Sequence, residues 1–142
     1  MLEHQIKKFQ NLLEKTEEAR DWYNKNIEEI KQILEYIKND ISVKAEDNID
    51  TIILKKYIEY GNMKDVQKYI DDLGYRIKTE SYIGSRKYTA EDISQVVYPY
   101  EKGDEKPREV NADEMLKEVV KKMHLYIFNS SYGKLKVREF NK

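Results

Sequence analysis

The sequence predicts a mainly α-helical protein: a long N-terminal coiled-coil helix, a small three-helix unit of helix-turn-helix type, and a C-terminal helix with a short β-hairpin. Three observations predict it. An apolar stripe recurs every 3.5 residues from Leu2 to Ile41 without a slip. Short amphipathic stretches, punctuated by Asn, Thr, Gly and Pro, fill residues 50–98. Charged residues make up 37% and hydrophobic residues 39% of the chain, the balance of exposed helices that each bury one stripe.

The first element rests on the period. Ile6, Leu13, Arg20, Ile27, Leu34 and Ile41 fall at the a positions of a heptad, and Leu2, Phe9, Thr16, Tyr23, Ile30 and Ile37 at d. All but Thr16 and Arg20 are apolar or aromatic. A sustained 3.5-residue repeat keeps one seam facing a partner helix, as a left-handed supercoil requires. No Gly or Pro interrupts residues 1–60. Residues 1–45 are therefore expected to form an arm roughly 60 Å long that assembles a homodimer or higher oligomer. Thr16 and Arg20 break the seam, and polar residues there set register at some cost in stability. Trp22 and Ile33 lie off the seam and imply a second covered surface. The competing reading is a helix packed wholly within its own chain.

Residues 42–50 are polar and bend or end the arm. Helix A then spans about 50–60, with Ile52, Ile53, Tyr57 and Tyr60 on one face. Gly61-Asn62 breaks it, and Asn62 caps helix B over 63–73, with Asp65 at its positive end. Val66, Ile70 and Leu73 form its apolar face, and Gly74 is placed for a left-handed cap. Residues 75–88 alternate weakly and contain Gly84-Ser85, so they read as an extended loop or small hairpin. Thr89 caps helix C, 90–98, with Asp92 in the capping-box position, and Pro99 ends it.

Both prolines, Gly103 and mostly charged residues fill 99–112, which reads as a linker. The last unit is expected over 113–142. A helix fits 113–124, with Met115, Leu116, Val119, Val120 and Met123 on one side, and the tail from Leu125 to Phe140 reads as a hairpin.

The chemistry concentrates before helix C. Arg76, Lys78, Arg86 and Lys87 face one acid, Glu80, across residues 75–88. Such a patch beside a helix N-terminus holds phosphates. Tyr88 interleaves with these charges, and Gln95 lies on helix C, so all six are candidate DNA contacts. Ile70-Asp71-Asp72-Leu73-Gly74, the basic loop, Gly84, Lys87-Tyr88-Thr89 and the run Ile93, Val96, Val97 resemble the DNA-binding "recombinase" segment of large serine recombinases. The resemblance covers about 40 residues. It implies a helix-turn-helix relative of phage and mobile-element proteins, without the catalytic serine domain. Glu91-Asp92, which open helix C, and Asp65, Asp71 and Asp72 on helix B argue the other way. A second basic cluster, Lys121, Lys122, Lys134, Lys136, Arg138 and Lys142, reads as a solubilising tail.

Other classes are excluded or poorly served. The chain has no Cys, which rules out disulfides, thiolate catalysis and Cys-ligated zinc. Its two histidines, His4 and His124, stand in no metal-ligand spacing. No glycine-rich phosphate cradle or nucleophile elbow occurs, so no enzyme, metal or cofactor is expected. The net charge of -1 provides no global basic field, so nucleic-acid binding must come from a local patch. No apolar run approaches the roughly 18 residues needed to span a bilayer. The expectation is a cytoplasmic, dimeric DNA-binding protein, a phage or mobile-element regulator that contacts DNA through the basic loop and helix C. The alternative is a non-enzymatic interaction factor that docks a partner protein through the coiled coil and a Tyr-rich surface.

Overall fold

The computed structural model describes residues 2–128. Five helices dominate, in the order α1 (Leu2–Ile37), α2 (Ile49–Tyr60), α3 (Met63–Asp72), strands β1 (Arg76–Lys78) and β2 (Ser85–Lys87), α4 (Ala90–Val97) and α5 (Glu114–Phe128). The expected mainly helical architecture with a long N-terminal helix is what the chain adopts.

α2 is the central element. Ile52, Ile53, Leu54 and Tyr57 are buried, more than one face of a surface helix supplies. The helix packs on α3, α4 and α5. Val66 and Ile70 of α3, Ile93, Val96 and Val97 of α4, and Leu116 and Val120 of α5 complete the core. α5 thus belongs to the same core as the three-helix unit. It runs on to Phe128, so Leu125–Phe128 are helical where the sequence reads as strand. The remainder of the expected tail hairpin lies outside the described residues, as does the basic cluster beyond Lys122.

The helix ends follow local chemistry. Asn48 caps α2 by accepting the Thr51 N–H, and Gly61 closes it at φ 73, a left-handed conformation that a side chain would strain. Asn62 caps α3 through the Asp65 N–H. α4 begins with a full capping box between Thr89 and Asp92. The strands form one antiparallel ladder pairing Arg76 with Lys87, Ile77 with Arg86 and Lys78 with Ser85.

α1 stops at Ile37, four residues before the seam does. The Asp40 carboxylate accepts the Ser42 N–H at 2.9 Å and the Lys44 ammonium at 2.6 Å. This local turn offers the backbone an alternative to the helix, and it leaves Ile41 outside the arm. Ile37, the last seam residue of the helix, is half-buried within the chain, whereas Leu2, Ile6, Phe9, Leu13, Tyr23, Ile27, Ile30 and Leu34 are all exposed. A different face is covered. Trp22, Asn26, Glu29, Ile33 and Tyr36 are half-buried, and α1 contacts α5. The Tyr126 hydroxyl of α5 donates to Asn26 Oδ1 at 2.6 Å.

Residues 99–112 are tied down at one buried acid. Asp50, 4% exposed, accepts from Arg108 Nη2 at 2.8 Å and from the Asn111 N–H at 2.9 Å. Asn48 Nδ2 donates to the Asn111 carbonyl at 2.9 Å. Removing one member of a buried ion pair leaves the other charge uncompensated. Arg108→Ala is therefore expected to cost about 3 kcal/mol in urea unfolding. A loss below about 0.5 kcal/mol, typical of a surface change, would mean that Asp50 needs no counter-ion.

Candidate nucleic-acid interface

The hairpin and α4 enclose a groove of about 420 Å³, lined by Arg76, Ile77, Lys78, Arg86, Tyr88, Asp92, Gln95 and Arg108. The fold brings together every residue marked by the sequence except Lys87. It also adds Arg108, which local sequence does not mark, because it sits in a charged stretch that reads as a linker. Four cations face one carboxylate there. The groove shares Arg86, Asp92, Gln95 and Arg108 with a neighbouring one of about 430 Å³, which adds Lys102, Lys106, Glu91 and Glu105. A larger cavity of about 710 Å³ alongside α5 balances Arg108, Lys117 and Lys121 against Glu109, Glu114 and Glu118. It has no charge bias that would select an anion.

The four groove cations and Lys87 are not equivalent. Arg86 is held in a forked pair by Asp92, at 2.6 and 3.0 Å. Arg108 is held by Asp50. Lys87 turns away to Asp71 of α3 at 3.5 Å. Arg76 bonds only neutral groups, Ser85 Oγ at 2.8 Å and the Ser85 carbonyl at 3.3 Å. Arg76 and Lys78 have no acidic partner among the described residues. Both lie on the outer side of β1, where alternation turns Ile77 toward the core. They carry the uncompensated positive charge of the groove.

Tyr88 and Gln95 have other duties. Tyr88 is only 8% exposed and belongs to the core cluster, and burial raises its phenol pKa above the ordinary value. The Gln95 carbonyl accepts the Tyr100 N–H at 3.1 Å, which fixes the chain as it leaves α4. The α4 N-terminus is occupied from within. Thr89 caps it, and Asp92 and Glu91 supply negative charge where the helix dipole favours it. Glu91 is paired with Lys102 at 2.7 Å. Lys64 and Lys68 of α3 are exposed, and Lys68 lines a small concavity together with Asp65 and Asp72.

Among the described residues no group of three or more His, Asp or Glu could hold a metal ion. No helix of the described residues is long and apolar enough to cross a membrane. Comparison with protein-family models, curated proteins and solved structures finds no match for the chain.

The Asp92 carboxyl is pulled down to about 2, first by the Arg86 hydrogen bonds, with further help from Thr89. A carboxylate whose native pKa lies below its unfolded value stabilises the fold above the unfolded pKa, and that stabilisation disappears as pH falls through the native one. Asp92→Asn should therefore lower Tm at pH 7, with the gap from the parent closing between about pH 4 and pH 2. A gap of constant size across that window in thermal melts would show that the ionised carboxylate is not what holds the hairpin to α4.

Proposed function

We propose that the protein is a dimeric DNA-binding protein, a regulator of the phage or mobile-element kind acting in the cytoplasm. The observation that carries this reading is the groove in which Arg76, Lys78, Arg86 and Arg108 converge against one carboxylate. Phosphate contacts supply most of the affinity of such proteins and need clustered cations, preferably guanidinium groups with several donors. The chain order supports the same reading. α2 and α3 are joined by Gly61-Asn62, the arrangement of a helix-turn-helix pair, and the hairpin follows at once. In that motif the second helix enters the major groove by its N-terminal residues while flanking elements hold the backbone. Lys64 and Lys68 then approach the duplex from α3, and the hairpin groove takes phosphates beside it. The resemblance of residues 62–98 to the serine-recombinase DNA-binding segment points in the same direction. Arg86 and Tyr88 shape the groove, Arg108 helps to hold it, and Arg76 and Lys78 are the contacts free to engage.

A second reading is a non-enzymatic protein-interaction factor. The exposed seam of α1 and the acids Asp65 and Asp72 on the outer face of α3 favour it. It predicts no duplex affinity even at low salt.

Fluorescence anisotropy against random duplex DNA separates the two. Affinity should fall steeply with salt, because each phosphate engaged adds about 0.9 to the log–log slope. Arg76→Ala with Lys78→Ala removes no ion pair among the described residues. This double variant should weaken binding at least ~10-fold and reduce the slope by about two units per site. Unchanged affinity and slope in this variant would overturn the groove as the DNA site.

A further inference from the structure

The open face of α1 has a geometry that selects both its occupant and the direction of that occupant. Nine large apolar residues between Leu2 and Leu34, Leu12 among them, are exposed, with Leu2 75% and Phe9 63% accessible. At about half of roughly 180 Å² per side chain, this amounts to ~800 Å² per copy. That equals one side of a standard stable interface and exceeds the apolar patch a monomer ordinarily leaves bare. A helix with the same 3.5-residue repeat matches it along its whole length.

We infer that the occupant is a second copy of α1 running antiparallel, with residues i and j of the two copies level where i and j sum to about 43. Three observations fix this arrangement. The first is Arg20, an a-position residue whose guanidinium is exposed and, among the described residues, bound to its neighbour Asp21 at 3.1 Å. In a parallel in-register pair each a residue faces its own copy, so two Arg20 side chains would oppose each other in the seam. Like charges in contact reject that pairing. In the antiparallel register Arg20 faces Tyr23 of the second copy, a cation–π geometry, and does so twice about the two-fold axis. Leu13 then meets Ile30, and Phe9 meets Leu34.

The second observation is charge along the free edge. The e positions read Glu3, Gln10 and Glu17 in the first half, then Asn24, Lys31 and Lys38 in the second. Antiparallel helices pair e with e, so Glu3 falls beside Lys38 and Gln10 beside Lys31. A slip of one heptad toward the N-terminus would set Glu17 against Glu17, and a slip the other way would pair Glu17 with Lys31 but move Arg20 from Tyr23 to Ile30. A parallel pair would match e with the g positions, which carry no charge between Gln5 and Ile33.

The third is Leu12, 48% exposed and off the seam at g. Antiparallel g residues pair with one another, which brings Leu12 next to the side of Ile33 of the second copy that its own chain leaves uncovered. A parallel pair leaves it beside Glu17.

The inference rests on the reading of α1 as a self-associating arm and adds its orientation and register. Because the chain contains no Cys, single introduced thiols report it directly. Full-length Leu13→Cys and Ile30→Cys, at exposed positions that leave the core intact, are refolded alone and as a mixture, then treated with a short bismaleimide. Phe9→Cys and Leu34→Cys form an independent second pair. The expected result is a dimer by light scattering, with crosslinking in each mixture and little in any single variant. Self-crosslinking of the single variants would establish a parallel pair and overturn the orientation. A monomeric mass for the parent chain would overturn self-association itself. Neither result depends on whether the hairpin groove binds DNA.

Discussion

Asp50 is the point on which the shape of the candidate groove depends. A carboxylate this deeply buried is costly unless its oxygens are satisfied and its charge is matched. Asp50 meets both conditions through a guanidinium and a backbone N–H that come from about 60 residues downstream. In satisfying itself it folds residues 99–112 back across the end of α2. The consequence reaches the groove, because Arg108 is held where its exposed side can line the space between hairpin and α4. The position of Asp50 in the first turn of α2 adds the favourable field of the helix N-terminus. One buried acid thus orders a segment rich in charge and proline and adds a cation to the candidate site.

The elements most legible in the sequence are those whose cause is local. Asn62, Thr89 with Asp92, and Gly61 mark their boundaries because a cap needs only a side-chain oxygen or a left-handed glycine within a few residues. The basic stretch 76–87 is legible for the same reason. What the sequence hides is pairing at long range. The contact between Asp50 and Arg108 has no local signature, so 99–112 reads as a linker. Leu125-Tyr126-Ile127-Phe128 reads as a strand because a short apolar run fits either state. The Asn26 acceptor on α1, 100 residues away, helps hold Tyr126 on a helix. Tyr88 shows the limit of interpreting side chains by type. An aromatic among cations reads as a nucleic-acid contact, whereas here it is core.

Ion pairing reorders the candidate site more than position does. Arg86 and Lys87 are adjacent in sequence and equal in formal charge, yet each has its own carboxylate, Asp92 and Asp71. The acids that argue against DNA binding on helices B and C are in part these same partners. They position the hairpin against α3 and α4 and leave Arg76 and Lys78 uncompensated. A count of charges over 75–88 sees the patch but not this division between structural and available cations. An exposed ion pair adds little to stability, but the forked Arg86–Asp92 pair is shared with the capping box and so fixes direction as well.

α1 carries two stripes, and their division of labour links assembly to the groove. The inner stripe, from Trp22 to Tyr36, faces α5 and anchors the arm to the same core that contains Asp50 and the α4 helix. The outer stripe, from Leu2 to Leu34, faces away. Because both stripes lie on one continuous helix, whatever docks on the outer one is oriented with respect to the body. With the two-fold axis near residues 21 and 22, the Ile37 ends of an antiparallel pair stand roughly 45 Å apart at 1.5 Å per residue. That exceeds the roughly 34 Å turn of B-form DNA, so on the proposed reading the two copies of the body are set apart by more than one helical turn of a duplex. The spacing follows from the position of Arg20 in the seam, and shifting that polar break by one heptad would change the distance between the sites.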